Sequence, residues 1–304
     1  IVALIATLAS SMLWQQWRAI QVEAAERART QSAWILSGAL DWARLILRED
    51  ARNGGTDHLG EPWAVPLAEA RLSTFLAADK SNTEDAPDAF LSGSITDAQG
   101  RYNLANVVSG GRIDPVEMAA LQRLCETVGV SADVAARIAG GLRDASPPEP
   151  GASSASAAAR PENPPLLPRS ASQLAWLGID AEALRALAPY VAMLPEKTFV
   201  NVNTAPREVL VAAVPGLDLA TAERIVQSRQ RAPLKASADL KAMAPSLPAA
   251  SFDRVAIGSN FFEVRGRLRL GDVVLEQRSL VQRRGIEVVV LQRERISGRD
   301  ASGT

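Results

Sequence analysis

One histidine, His58, and one cysteine, Cys125, are all the imidazole and thiol that 304 residues supply. Structural zinc takes four His or Cys ligands and a disulfide takes two cysteines, so neither is available within this chain. The two residues are too distant in sequence to form a local motif, and no Gly-x-Ser-x-Gly turn presents a nucleophile. Carboxylates are plentiful, but no pair is spaced so as to mark the acid and base of a two-carboxylate hydrolase. Glu84-Asp85-x-x-Asp88 comes nearest to a calcium loop and reads as a solvated turn instead. With 33 basic against 34 acidic residues, no global field draws nucleic acid or anionic lipid. The chain is read as a non-enzyme with no bound cofactor.

The sharpest local pattern is Val200-Asn201-Val202-Asn203-Thr204-Ala205-Pro206, followed by Val214-Pro215-Gly216-Leu217-Asp218. Thr204 is expected to cap a helix with Pro206 and Glu208 in its first turn, and Pro215-Gly216 to turn the chain into a second helix. This is the grammar of a helix-hairpin-helix module, in which the hairpin offers backbone N–H groups to a phosphate. It resembles the DNA-binding domain of bacterial competence receptors. However, Asp218 puts a carboxylate where a second glycine would let phosphate approach. Residues 198–257 hold seven basic and five acidic side chains, a thin surplus for binding DNA. A structural module is therefore expected, with a membrane-anchored DNA receptor as the alternative.

Elements that position these residues follow from periodicity. Residues 1–17 carry no charge before Arg18, slightly short of the roughly 20 apolar residues of a bilayer span. Ile1, Val2, Leu4, Ile5, Leu8, Met12 and Leu13 form this membrane or assembly segment. The chain starts without Met, as if cut from something longer. There is neither a basic leading region nor a cleavage site followed by a turn, so an anchor is expected over a signal peptide. The helical pattern runs on through Leu36, Leu40, Ala43 and Leu47 to Asn53-Gly54-Gly55. Trp14, Trp17, Trp34 and Trp42 suit membrane-interface anchoring or core packing. Strands are expected at 70–75 and 90–95, separated by the polar stretch 79–88. Asp97, Gly100 and Asn103 form a tight turn into a second strand. Asp114-Pro115 opens a helix in which Cys125 is buried. Residues 145–168 hold seven of the 18 prolines and read as a flexible linker. A helix follows from Ser172 to Leu187. Strict alternation then marks an antiparallel meander at 262–270, 273–281 and 286–291, with turns at Gly271-Asp272 and Arg284-Gly285. Arg265, Arg267 and Arg269 line one face of it, solvated or available for docking.

Taken together, the chain resembles the minor pseudopilin K family of the type II secretion system. The matching elements are the apolar start, Gln31-x-Ala33-Trp34 and Asp57-His58-Leu59-Gly60-Glu61-Pro62-Trp63. Ile95-x-Asp97-x-x-Gly100-Arg101-Tyr102-Asn103-Leu104, Leu194-Pro195, the Asn201-Val202-Asn203-Thr204-Ala205 block and Phe262-x-Val264 complete them in order. The resemblance implies an α+β pseudopilin fold in which a long N-terminal helix packs on an antiparallel sheet. A large all-α domain containing the helix-hairpin-helix-like module is inserted into that sheet. The divisions are a helix at 1–52, sheet parts at 53–106 and 258–304, and the insertion at 107–257. It further implies the pseudopilus tip, minor pseudopilins I and J as partners, and a single inner-membrane anchor with the bulk in the periplasm. Exoprotein substrate or the outer-membrane channel are further contacts of such a tip; nucleic acid is not. By this resemblance Ile1 lies several residues inside the mature helix. The family's acidic calcium segment is reduced here to Asp144 before Glu149, so no metal is expected there.

Overall fold

Residues 2–53 contain no proline and a single glycine, so nothing interrupts an α-helix. The structure, a computed structural model, describes residues 1–72, 89–147, 163–270 and 273–296. Helix α1 (Val2–Asn53) stops at Gly54, whose φ of 64° lets the chain turn away. At 1.5 Å per residue its 52 residues run for roughly 80 Å. Its two halves differ. Ser32, Leu36, Leu40, Ala43 and Leu47 form a buried stripe at helical spacing, whereas none of the described side chains from Ile1 to Gln31 is buried. Ile1, Val2, Ile5, Leu8, Met12 and Leu13 are all exposed.

No helix among the described residues is long and apolar enough to cross a membrane. The uncharged run ends at Arg18 and is diluted by Thr7, Ser10, Ser11, Gln15 and Gln16. Residues 1–17 taken alone are thus shorter than the roughly 20 apolar residues of a full span.

The buried stripe lies on a five-stranded antiparallel sheet of β1 (Leu67–Arg71), β2 (Ala89–Asp97), β3 (Phe261–Leu270), β4 (Val273–Arg284) and β5 (Glu287–Ile296), in that spatial order. Alternation sets the register. Ile95 pairs with Val264, and Phe262 with Val281, so these apolar side chains share the face beneath Leu40 and Leu47. Trp63 meets Phe262 edge to face at 5.2 Å. Gly93 and Gly266 are opposite each other, and a Cβ on Gly266 would come within 3.2 Å of Leu36, so the glycine lets the helix lie close.

Several boundaries differ from the sequence reading. The first strand is 67–71, ahead of the expected 70–75. Residues 73–88, with Phe75, the polar stretch and the Glu84–Asp88 acids, lie outside the described residues, as does the Gly271-Asp272 turn. Both C-terminal strands run longer, to Arg284 and Ile296, because each pairs with its neighbour along its length. After the 3-10 turn at Ala98–Gly100, Tyr102–Asn103 does not fold back on β2 but pairs in parallel with Val191–Ala192. Both sides of β2 are already taken by β1 and β3. The helix expected at 172–187 is broken by Gly178 in the left-handed region (φ 75°) into a 3-10 turn and α4, given below.

Although β2 and β3 are neighbours, residues 98–260 separate them in sequence, and most of that stretch builds its own core. It comprises α2 (Pro115–Thr127), α3 (Ala132–Ala145), α4 (Ala181–Leu187), α5 (Arg207–Ala213), α6 (Leu219–Arg231) and α7 (Ser237–Met243). Leu121, Leu124, Ile138, Leu174, Val209 and Ile225 are fully buried there. Cys125 is buried among them, and its thiol is pushed up to about 11 by burial, a packing residue and not a nucleophile. The linker residues 148–162 lie outside the described residues.

Candidate functional site

The chain leaves the sheet at Asp97 and rejoins it at Phe261, and the two crossings are stitched together by buried polar side chains. Asp97 is the hub. Its Oδ1 accepts from the Gln99 N–H at 2.7 Å, capping the 3-10 turn. Its Oδ2 accepts from the Thr204 hydroxyl (2.6 Å), the Ser259 hydroxyl (2.6 Å) and Asn201 Nδ2 (2.9 Å). Burial pushes the carboxyl up, while donation from Ser259, Thr204, Gln99 and Asn201 holds it down. A buried carboxylate survives where donors replace lost water, and four do so here.

Thr204 was expected to cap α5. In the fold Pro206 takes the N-cap position without a side-chain bond, and the Thr204 hydroxyl serves Asp97 instead. Gly100 is needed for the same approach, since a Cβ there would fall 2.8 Å from Thr204 Oγ1. Asn201 also donates to the Asp57 carbonyl (3.0 Å) and accepts from the Asn203 N–H (2.9 Å). Asn203 reads both backbone groups of Leu234 at 2.9 Å, pinning the segment after α6. Asn103 Nδ2 donates to the Glu196 carbonyl (2.7 Å), while its Oδ1 accepts from the Leu194 N–H (3.2 Å). Thus Asp97, Gly100, Asn201 and Thr204 meet directly, while Asn103 and Asn203 fasten the two ends of the same seam. Pro215 and Gly216 stand apart from it, in the turn between α5 and α6.

Beside the seam lies a cluster the sequence reading missed. Arg283 on β4 donates to Asp50 at the end of α1 (2.7 Å), to Asp57 (2.6 Å) and to the Ser259 carbonyl (2.7 Å). It also stands 5.0 Å from the centroid of the Phe262 ring. Asp50, Asp57 and Glu61 have carboxylate oxygens within 4.8 Å of one another. Burial and the neighbouring Glu61 lift Asp50 to about 6, against the pull of Arg283. Glu61 in turn accepts from the Trp63 indole and the His58 N–H, both at 2.8 Å. The only signal in sequence was the Asp57-to-Trp63 block; nothing local marks Arg283, which lies more than 200 positions away.

Two family profiles described as type II secretion system protein K match residues 100–196 and 200–258, which carry most of the seam and the helical block. The chain belongs to this family. Type II secretion system protein K of Pseudomonas aeruginosa is 28% identical over 291 residues, covering 90% of this chain and 82% of that protein. Its counterparts from Klebsiella pneumoniae and Pectobacterium carotovorum are 29% and 27% identical, over 96% and 97% of this chain. Among solved structures, the GspK-GspI-GspJ complex from enterotoxigenic Escherichia coli contains a chain of the same fold, with a TM-score of 0.67 and 21% identity. That likeness covers 90% of this chain and 99% of that one.

Two segments singled out in the sequence have side chains with local partners. Around the acidic segment, Asp144 is paired with Arg143 at 2.8 Å. Glu149, the other acidic residue of that segment, lies outside the described residues. Between α5 and α6, Gly216 adopts φ 84° and turns the chain. The anion position at the start of α6 is filled by Asp218, whose carboxylate accepts from the Thr221 N–H (2.8 Å) and hydroxyl (2.7 Å). Those bonds hold Asp218 below the usual carboxylate range. Arg229 points inward to the Val202 carbonyl, away from any phosphate. The pair of helices is packed into the core through Val209, Leu210, Ala222 and Ile225.

Proposed function

We propose that this chain is a minor pseudopilin of the type II secretion system that caps the pseudopilus tip in complex with minor pseudopilins I and J. It initiates assembly and supports export of folded proteins from the periplasm. The observation that carries this reading is the division of α1. One half is fixed to the sheet, and the half before Ser32 offers its full circumference to other helices or to lipid. Residues 1–17 belong to the inner-membrane anchor used before assembly, a reading supported by their uncharged run and by exposed Trp14 and Trp17 at its end. The helix-hairpin-helix-like unit acts as a packing module within the inserted domain at 107–257, and the seam keeps that bulky domain at one angle to the rod. Its size then blocks addition of a further subunit, which is what a cap does. The chain works by assembly, without catalysis or a cofactor, and exoprotein or the outer-membrane channel are contacts of its exposed tip.

Two experiments test this. A variant lacking residues 1–17 should co-purify with the I and J pseudopilins of the same system; failure of both to associate would sink the reading. Deleting 107–257 while keeping rod and sheet should give longer or deregulated fibres, and unchanged assembly counts against capping. The DNA-receptor alternative finds no support in the filled anion position at Asp218; salt-sensitive micromolar DNA binding by the chain would revive it.

A further inference from the structure

Between the helical block and the sheet face turned away from α1 runs a groove of about 440 Å³. Its accessible walls are largely apolar, with Val108, Leu167 and Met193 from the block opposite Leu280 and Leu291 from the sheet. Arg169 lines both this groove and a smaller cavity of about 60 Å³ that shares Met193, Leu194 and Leu280 with it. In the smaller cavity Arg101 pairs with Glu263 at 3.0 Å and Arg278 with Glu294 at 2.5 Å. Three guanidinium groups therefore meet two carboxylates. Arg169 is left over: it is exposed, and its guanidinium makes no hydrogen bond or ion pair among the described residues.

An apolar trough with a cation at its rim that no described carboxylate pairs is complementary to an apolar ligand carrying a carboxylate. The shape favours an extended chain. Leu291 and Gln292 belong to β5, whose second edge pairs with no strand among the described residues. A peptide laid beside that edge finds main-chain donors and acceptors, and its alternate side chains fall on one face. The chain's own neighbouring segments are poor occupants by composition. Residues 148–162 and 297–304 contain no Leu, Ile, Val, Met or aromatic side chain with which to fill the trough. We propose that this groove docks an extended peptide of another protein, with alternate aliphatic side chains in the trough and a carboxylate on Arg169. The inference goes beyond the tip-capping reading and does not depend on it.

The test is fluorescence polarisation on the full chain with three labelled ten-residue peptides. All alternate Leu or Val with a polar residue, which is Asp, Asn or Lys. The Asp peptide should bind with a dissociation constant on the order of 10–100 µM, the Asn peptide about tenfold more weakly and the Lys peptide more weakly still. Arg169→Glu should invert that order, and Leu291→Asp should abolish binding of all three, with unchanged thermal melts for both variants. Equal affinity for the three peptides, indifference to Arg169→Glu, or no saturable binding up to about 1 mM would each overturn the proposal. Replacing 148–162 by a Gly/Ser run should leave the affinity unchanged; a gain of tenfold or more would show that the chain's own segment fills the groove and would overturn it too.

Discussion

Replacing Asp97 by Ala removes the acceptor of four hydrogen bonds at once. The consequences for its donors are unequal. Asn201 Nδ2 retains the Asp57 carbonyl at 3.0 Å, and the Thr204 hydroxyl can turn to the Asn201 carbonyl at 3.4 Å. Ser259 still accepts from Asn201 Nδ2, but its own O–H and the Gln99 N–H both lose the Asp97 acceptor. Orphaned buried donors cost about 1–3 kcal/mol each, and relief from burying the carboxylate recovers part of that. A net loss of about 3–4 kcal/mol is expected, a large share of the roughly 5–15 kcal/mol that holds a domain folded. Asp97→Asn keeps the shape. Its amide oxygen can still serve Asn201, Thr204 and Ser259, while its NH₂ faces the Gln99 N–H, so about 1–2 kcal/mol is expected. Urea unfolding followed in two single-tryptophan backgrounds, one keeping Trp63 under α1 and one keeping Trp176 in the helical block, reads both quantities. Because the seam couples block to sheet, the two signals should coincide in the parent and separate in Asp97→Ala. A loss below about 1 kcal/mol in Asp97→Ala, or Asp97→Asn as damaging as Asp97→Ala, would refute the assignment of Asp97 as the hub.

Three further outcomes are expected. Asp50 is lifted from its ordinary 3.8 to about 6 by burial and then by Glu61, so the folded chain keeps a proton there that the unfolded chain has released. This contribution to stability is present below about pH 4 and is lost as the pH rises to about 6, by about 1–3 kcal/mol. Urea midpoints between pH 4 and 7 should show that decline, and Asp50→Asn should flatten it. Gly100→Ala drives a Cβ to 2.8 Å from Thr204 Oγ1 and should lower stability by about 1–3 kcal/mol in the same assay; a neutral result would mean the turn and Thr204 are not in contact. Leu47→Ala, at a position 0% exposed, should cost about 2–5 kcal/mol, whereas Trp34→Ala, at 74% exposed, should stay within about 0.5 kcal/mol yet, under the proposed function, weaken co-purification with the I and J pseudopilins.

Much of this architecture was legible in periodicity. The uninterrupted α1, its Leu36–Leu47 stripe and the alternation of β3 report which face is buried, because burial repeats with the local geometry of helix and strand. Asp97, Gly100, Asn103, Asn201, Asn203 and Thr204 stood out as two separate motifs, each read as local turn or cap chemistry. Their joint role was illegible. Thr204 has the same sequence context whether it caps α5 or donates to Asp97, and only the approach of Gly100 decides between them. Gly178, which breaks a helix read as continuous, shows a similar limit: a glycine tolerated in a helix and one ending it look alike until φ is known.

By itself, then, the sequence determined the long helix, the terminal meander, the lack of ligands for a four-ligand His/Cys zinc site or of a cysteine pair for a disulfide, and the family, all of which depend on residue types and short spacings. Tertiary structure alone decided what those residues serve. Arg283 meets Asp50 and Asp57 from more than 200 positions away, and Asp97 meets Thr204 and Ser259 from across the helical block. Such contacts arise because the sheet must close β2 against β3 to bury one apolar face. That closure carries the polar ends of both strands out of water together, where they can be satisfied only by one another.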